Sequence, residues 1–330
     1  MKKVFLTGAS GFIGKHILRE LIENGYAVRA SVRSDKRKTE LLDLFPQSPL
    51  EFALLDLTKD EGWDEALEGC DVLIHTASPF PLSEPKDPQE LIRPAVDGTL
   101  RAMSAAKAAG IKRVILTSSC AAIYKQSDKP KMQPSDETNW TTPDDPAVGG
   151  YEASKTLAEK AAWDFVAQNP EMSLTTINPG AVFGPPMDDR FGASLQLVEQ
   201  LMNGSVPMAP PIEMICVDVR DVAHMHVAAI ELDAAKGERF AAASGTHQFL
   251  ELGQMLNAWD SSLKAPKRKA PVWLLRLLSL VNSDARSVLQ NIDRTLAVSG
   301  AKAEETFGLK YIPVEEALVA AAQAIKNSKS

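Results

Sequence analysis

The chain of 330 residues predicts an α/β fold: a doubly wound parallel sheet with a smaller, mostly helical C-terminal unit. Two observations carry this. Short apolar runs alternate with amphipathic helical stretches through the first two thirds of the chain, the pattern of right-handed βαβ crossovers. After Asn178 that rhythm breaks into a stretch rich in Pro, Gly, Met and Phe.

The elements follow in order. Residues 4–6 read as the first strand. Residues 12–24 read as a helix, with Ile13, Ile17 and Leu21 on one face and Gly25 as its stop. Residues 26–32 and 52–55 read as the second and third strands. A short helix at 63–68 is closed by Gly69, and 72–75 is the fourth strand. Residues 89–109 predict a long helix, bent at Pro94 and stopped at Gly110. Residues 114–117 give a fifth strand, 151–168 a helix and 174–177 a sixth strand. Beyond them lie a helical stretch at 193–202, a strand at 214–217, a helix at 220–230 and a strand candidate at 239–243. The expected division is a first domain of residues 1–178, with 214–232 returning to it. The second unit then comprises 179–213 and 233–330.

Composition bounds the function. Lys and Arg number 36 against 43 Asp and Glu, a net charge of −7, which speaks against a dedicated nucleic-acid binder. Cys70, Cys120 and Cys216 are far apart with no CxxC pair, so neither a disulfide framework nor a thiolate zinc site is expected. The apolar run behind the first lysines is too short for a signal peptide. Residues 272–281, interrupted by Arg276, are half the length of a membrane span. The expectation is a cytoplasmic protein, monomer or homodimer, with a small-molecule partner and no membrane or nucleic acid. His224 and His226, two apart on a helix, diverge and are not read as metal ligands.

Thr7-Gly8-Ala9-Ser10-Gly11-Phe12-Ile13-Gly14 joins the first strand to the first helix. Glycines at 8, 11 and 14 permit a tight turn and let a pyrophosphate approach backbone N–H groups at the helix start. After the second strand, Arg33 stands where a guanidinium could clamp a ribose 2′-phosphate, and Lys36, Arg37 and Lys38 add positive charge. This favours NADP, with Asp35 as the competing acidic residue for NAD. Asp56 and Leu57 are adenine-contact candidates. Thr76, Ala77 and Ser78 should lie along the cofactor at the carboxyl edge of the sheet. Tyr151 and Lys155 share a helix face, and Ser119 follows the end of the fifth strand. Together they suit carbonyl reduction: a tyrosine acid, an ammonium that stabilises its phenolate, and a hydroxyl aimed at the carbonyl oxygen.

These motifs, with Asn178-Pro179, resemble the extended short-chain dehydrogenase/reductase family. The runs at 75–80 and 177–185 look like its subgroup of dihydroflavonol reductases, cinnamoyl-CoA reductases and methylglyoxal or aldehyde reductases. The resemblance implies a Rossmann-type fold and NADPH as cofactor. It makes Tyr151 the general acid. Lys155 holds the nicotinamide ribose and lowers the Tyr151 pKa, and Ser119 polarises the carbonyl. The backbone of Pro179, Gly180 and Val182 positions the carboxamide. Tyr124 stands where dihydroflavonol reductases carry Asn, and the run Val148-Gly149-Gly150-Tyr151 departs from the cinnamoyl-CoA reductase pattern. A general ketone or aldehyde reductase is the resulting expectation.

Phe80, Tyr124 and Phe183 are the candidate substrate contacts. Between Phe183 and Met214 Arg190 is the one basic residue, which argues against a substrate diphosphate and for an uncharged carbonyl compound. Two alternatives remain: an NAD-dependent sugar-nucleotide epimerase or dehydratase, and a non-catalytic NADP-binding redox sensor.

Overall fold

The computed structural model describes residues 1–78, 87–127, 130, 132–280, 283–292 and 294–328. In chain order the first half comprises β1 (Lys3–Thr7), α1 (Phe12–Glu23), β2 (Ala27–Val32), α2 (Asp35–Leu44), β3 (Leu50–Leu54), α3 (Trp63–Leu67), β4 (Val72–His75), α4 (Gln89–Ala108), β5 (Arg113–Thr117) and α5 (Gly150–Gln168). The rest comprises β6 (Ser173–Pro179), β7 (Ala181–Phe183), α6 (Ala193–Asn203), β8 (Glu213–Asp218), α7 (Val219–Ala228), β9 (Glu238–Ala242), β10 (Gly245–Gln248), α8 (Phe249–Trp259), α9 (Val272–Leu278), α10 (Ser283–Gln290), α11 (Ala301–Phe307) and α12 (Val314–Asn327).

Seven strands form one parallel sheet in the order β3-β2-β1-β4-β5-β6-β9. Alternate residues of each central strand enter opposite layers, as the two-residue period of a strand requires. Val4 and Leu6 of β1 join Ile17 and Leu21 of α1 and Val222 of α7. Phe5 between them faces Leu67 of α3 and Met103 of α4. The sheet is thus covered on both sides, which explains why its strands read as continuous apolar runs. Strand order reverses between β1 and β4, and the crevice above their carboxyl ends is where this architecture receives a ligand.

A second, three-stranded sheet has the order β10-β8-β7. With α6, α8 and α12 it encloses a separate apolar cluster that includes Phe183, Leu195, Leu252 and Leu318. The strand at 214–217 was expected in the main sheet and the one at 239–243 in the second unit. Pairing runs the other way: β8 lies between β7 and β10, while β9 is the seventh strand, with Phe240 level with Ile177 of β6. The helix after β8, α7, packs on the main sheet.

Helix α4 runs unbroken through Pro94. Helix α2 gave no periodic signal because Leu41 is its one buried residue. Among the described residues no helix is long and apolar enough to cross a membrane.

Candidate active site

The glycine turn is built by close approach. Gly8 has φ +68°, and a Cβ there would lie 2.5 Å from Thr76 Oγ1 and 2.8 Å from the Ala77 nitrogen. A Cβ at Gly14 would lie 2.2 Å from the Gly8 carbonyl oxygen. Both positions therefore require glycine. The Thr7 hydroxyl accepts the Thr76 and Ala77 N–H groups at 3.0 and 3.1 Å and donates to His75 Nδ1 at 2.8 Å. That bonding stitches the ends of β1 and β4 together and leaves His75 as the neutral Nε2–H tautomer. Burial pushes its pKa down to about 3. Helix α1 starts at this turn with no side chain capping its first N–H groups, which leaves them directed at the crevice.

Two recesses meet at the turn. The smaller, about 320 Å³, is lined by Thr7, Gly8, Ser10, Gly11, Arg33, Leu57, Thr76, Ala77 and Ser78, with Arg37, Trp63 and Arg190. Lys36 and Asp56 do not line it. Lys36 is exposed on α2, and Arg37, one residue on, supplies the cation instead. The Asp56 carboxylate is turned to the Thr58 N–H and hydroxyl at 2.9 and 2.8 Å, which holds it below the usual carboxylate range.

The larger cleft, about 520 Å³, carries Gly8, Gly11, Phe12, Ile13, Gly14, Thr76 and Ser78 along one wall. Opposite stand Ser119, Tyr124, Tyr151 and Lys155, with Pro179, Gly180 and Val182 from the β6–β7 edge. Glu213, Met214, Ile215 and Leu296 extend it beyond the sheet. Phe183 is not part of it. The alternation of β7 sends its ring into the apolar cluster of the second unit, where it is fully buried. Phe80 lies outside the described residues.

Ser119 leaves β5 and caps the short 3₁₀ turn Cys120–Ala122, accepting the Ala121 N–H at 3.1 Å. Its own hydroxyl reaches the Pro179 carbonyl at a long 3.4 Å and is hydrogen-bonded with Tyr151. One turn along α5 the Lys155 ammonium donates to Ser78 Oγ at 2.9 Å and lies 5.9 Å from the Tyr151 ring centre. Burial brings Lys155 down to about 8, against the field of Glu159. Burial raises the Tyr151 phenol and the Ser119 bond opposes that rise, while Lys155 Nζ donates to Ser78 Oγ one turn away. Tyr124 is pushed well above 10 by burial and then by the Glu152 carboxylate. Burial also raises the Cys120 thiol, which donates to the Asn178 carbonyl at 3.0 Å.

Beneath the cleft sits a carboxylate that the sequence did not single out. Glu159, fully buried, is one further turn along the Tyr151–Lys155 face. It accepts from Ser118 Oγ, Asn178 Nδ2 and Arg239 Nε at 2.5, 2.6 and 2.6 Å. The signal was available: an acidic residue at the same four-residue spacing beyond Lys155.

A glycine turn at a strand–helix junction, a strand-end serine and a Tyr-x-x-x-Lys pair thus share one crevice. The model of the NAD dependent epimerase/dehydratase family matches residues 4–243. The chain belongs to this family. Its match takes in part or all of each of the seven sheet strands. Cinnamoyl-CoA reductase CAD2 of Medicago truncatula is 34% identical over 335 residues, covering 99% of this chain and 96% of that protein. The yeast methylglyoxal/isovaleraldehyde reductase Gre2, solved with NADPH, superposes with a TM-score of 0.82 at 26% identity and covers 99% of both chains. Gre2 of Candida albicans, also solved with NADPH, does so at 0.82 and 29% over the full length of both. The first two of these are named as reductases.

Proposed function

We propose that this protein reduces an uncharged ketone or aldehyde to the alcohol, with NADPH as the hydride source and Tyr151 as the proton donor. The coarser statement, an NADP-dependent oxidoreductase, follows from its family and from the reductases it matches along its length. The observation that carries the finer reading is the meeting of the Ser119 and Tyr151 hydroxyls in the cleft that adjoins the glycine turn.

The residues present fit the cofactor. The uncapped start of α1 and the close Gly8–Thr76 approach leave a backbone cradle for a pyrophosphate. Arg33 and Arg37 in the smaller recess suit a 2′-phosphate. The edge from Pro179 to Val182 would hold the nicotinamide end. When bound, the cofactor supplies a hydride to the carbonyl carbon.

The side chains handle the proton. Ser119 exchanges its long bond to Pro179 for a carbonyl oxygen, where negative charge develops. Tyr151, kept protonated by burial, gives that oxygen its proton. The Lys155 ammonium, on the same helix face, favours the phenolate left behind. Among the described residues that line the cleft, Glu213 is the one carboxylate and Lys155 the one basic side chain, already engaged with Ser78. That balance supports an uncharged substrate over a carboxylate or a diphosphate.

The test is NADPH oxidation followed at 340 nm with a panel of aldehydes, diketones and ketoesters. Tyr151→Phe should lower turnover by at least about 100-fold and leave the NADPH dissociation constant within a few-fold. Undiminished turnover in that variant would sink the assignment of the proton donor.

A further inference from the structure

We infer that Arg190 is a third phosphate-binding residue of the smaller recess, and that Glu40 occupies its guanidinium until a 2′-phosphate takes over. The inference rests on the NADPH reading above. Arg190 belongs to residues 184–192, the segment between β7 and α6, yet it lines the same recess as Arg33 and Arg37. Those two come from the far side of the crevice, after β2 and on α2.

The contacts form a chain across the crevice. Arg37 Nη1 and Arg190 Nη1 both lie 2.9 Å from the same oxygen, Glu40 Oε2. Arg190 Nη2 lies 2.7 Å from Asp188 Oδ2, which is 2.5 Å from Lys15 Nζ on α1. Three cations, Arg37, Arg190 and Lys15, meet two carboxylates here, and Arg33 adds a further positive charge to the recess. A phosphomonoester carries about −1.5 to −2 near neutral pH, which suits a net positive cluster. The 2′-hydroxyl of a cofactor that lacks the phosphate brings no charge to this cluster.

Exchange at Glu40 is physically easy. Its side chain is 26% exposed, Arg190 32% and Arg37 36%, so the ion pairs are water-screened and weakly held. Both guanidinium groups converge on Glu40 Oε2, and Arg37 also reaches Oε1, at 3.3 Å. A phosphate offers three oxygens, in the paired geometry that guanidinium groups prefer. Gly192, Ala193 and Ser194, which continue directly from this segment, line the larger cleft. Capture of the phosphate by Arg190 therefore also fixes a wall of the substrate cleft, linking the far end of the cofactor to substrate fit.

The test measures NADPH and NADH dissociation constants by titration calorimetry for the unaltered protein and for Arg33→Ala, Arg190→Ala, Arg190→Lys and Glu40→Gln. Arg190→Ala should weaken NADPH about tenfold, the lower end for a charge-assisted hydrogen bond at a part-exposed site, with NADH within about twofold. Arg190→Lys should lose less, since it keeps the charge and loses the fork. Glu40→Gln should tighten NADPH several-fold and leave NADH unchanged. If Arg33→Ala selectively weakens NADPH while Arg190→Ala changes both cofactors equally, or neither, the role of Arg190 falls and the NADPH reading stands. If neither arginine changes the NADPH-to-NADH ratio, both fall together.

Discussion

Replacing Glu159 by Gln keeps the shape of a fully buried side chain and removes its charge. In the native fold Oε2 accepts from Ser118 Oγ and Asn178 Nδ2, and Oε1 from Thr176 Oγ1 and Arg239 Nε. A glutamine must place its NH₂ at one of these positions. It then faces either the Asn178 amide or the Arg239 guanidinium, donor against donor. Arg239 meanwhile loses its counter-charge in the interior. Breaking a buried pair costs about 3–5 kcal/mol. Arg239 keeps the Glu137 and Asn139 carbonyls at 2.7 and 2.8 Å and its stacking on Trp140 at 3.6 Å, so the lower end applies, about 3 kcal/mol. Native stabilities of about 5–15 kcal/mol make that loss plain in urea unfolding. Glu159 is also the charge that holds Lys155 up against desolvation. Its removal should move the alkaline limb of kcat/KM to lower pH. A stability loss under about 1 kcal/mol, the scale of a surface pair, would refute the buried pairing. An unmoved alkaline limb would refute the coupling to Lys155.

Other outcomes follow from the same geometry. Gly8→Ala should weaken NADPH at least about tenfold and destabilise the fold by about 2 kcal/mol, since a Cβ there meets the β4 edge in a left-handed backbone; calorimetric titration and urea unfolding check both. In the unaltered protein, activity should fall as pH rises through about 8, where Lys155 loses its proton; a kcat/KM profile flat from pH 7 to 10 would contradict the role of its charge. Stability should fall as pH drops below the ordinary histidine range. His16, His75 and His226 are held at about 4, 3 and 4 when folded, so near pH 5 the unfolded chain binds three protons that the fold does not. Asp221, raised to about 6, binds one proton in the fold and offsets one of them. The net of two gives a slope of about 2–3 kcal/mol per pH unit near pH 5, and urea titrations at pH 4.5–6.5 that show no slope would contradict the burial of these rings.

Legibility in the sequence tracked how locally each feature is encoded. The central strands were readable because they are buried on both faces and therefore apolar throughout. The glycine turn and the Tyr151–Lys155 pair were readable because their function fixes residue types at fixed spacing. The strands β8 and β9 were each found as strands, yet their sheets were exchanged. Nothing in Met214–Val217 or Arg239–Ala242 records that the first pairs with Gly245–Gln248 and the second with β6. Phe183 looked like a cleft residue from composition alone. Its direction depends on the register of the strand Ala181–Phe183, too short an apolar run to fix which face each residue takes.

The recess around Arg33 shows the same limit from the side of charge. Four basic residues from Arg33 to Lys38 gave the right sign for the region, but not which of them faces the ligand. On α2, Lys36 and Arg37 are about 100° apart around the helix axis, and one residue of register decides which enters the recess. Arg190 is further out of reach of any local pattern. It lies more than 150 positions from Arg37 and meets it through Glu40, because the second unit folds back over the crevice. In the sequence it stood out as the lone cation of its segment, which argued against a substrate diphosphate. The ion pairs give it another use: it turns away from the substrate end and toward the phosphate end. Among the described residues the scarcity of cations at the substrate end is therefore greater than the sequence count implied, which supports a neutral carbonyl compound.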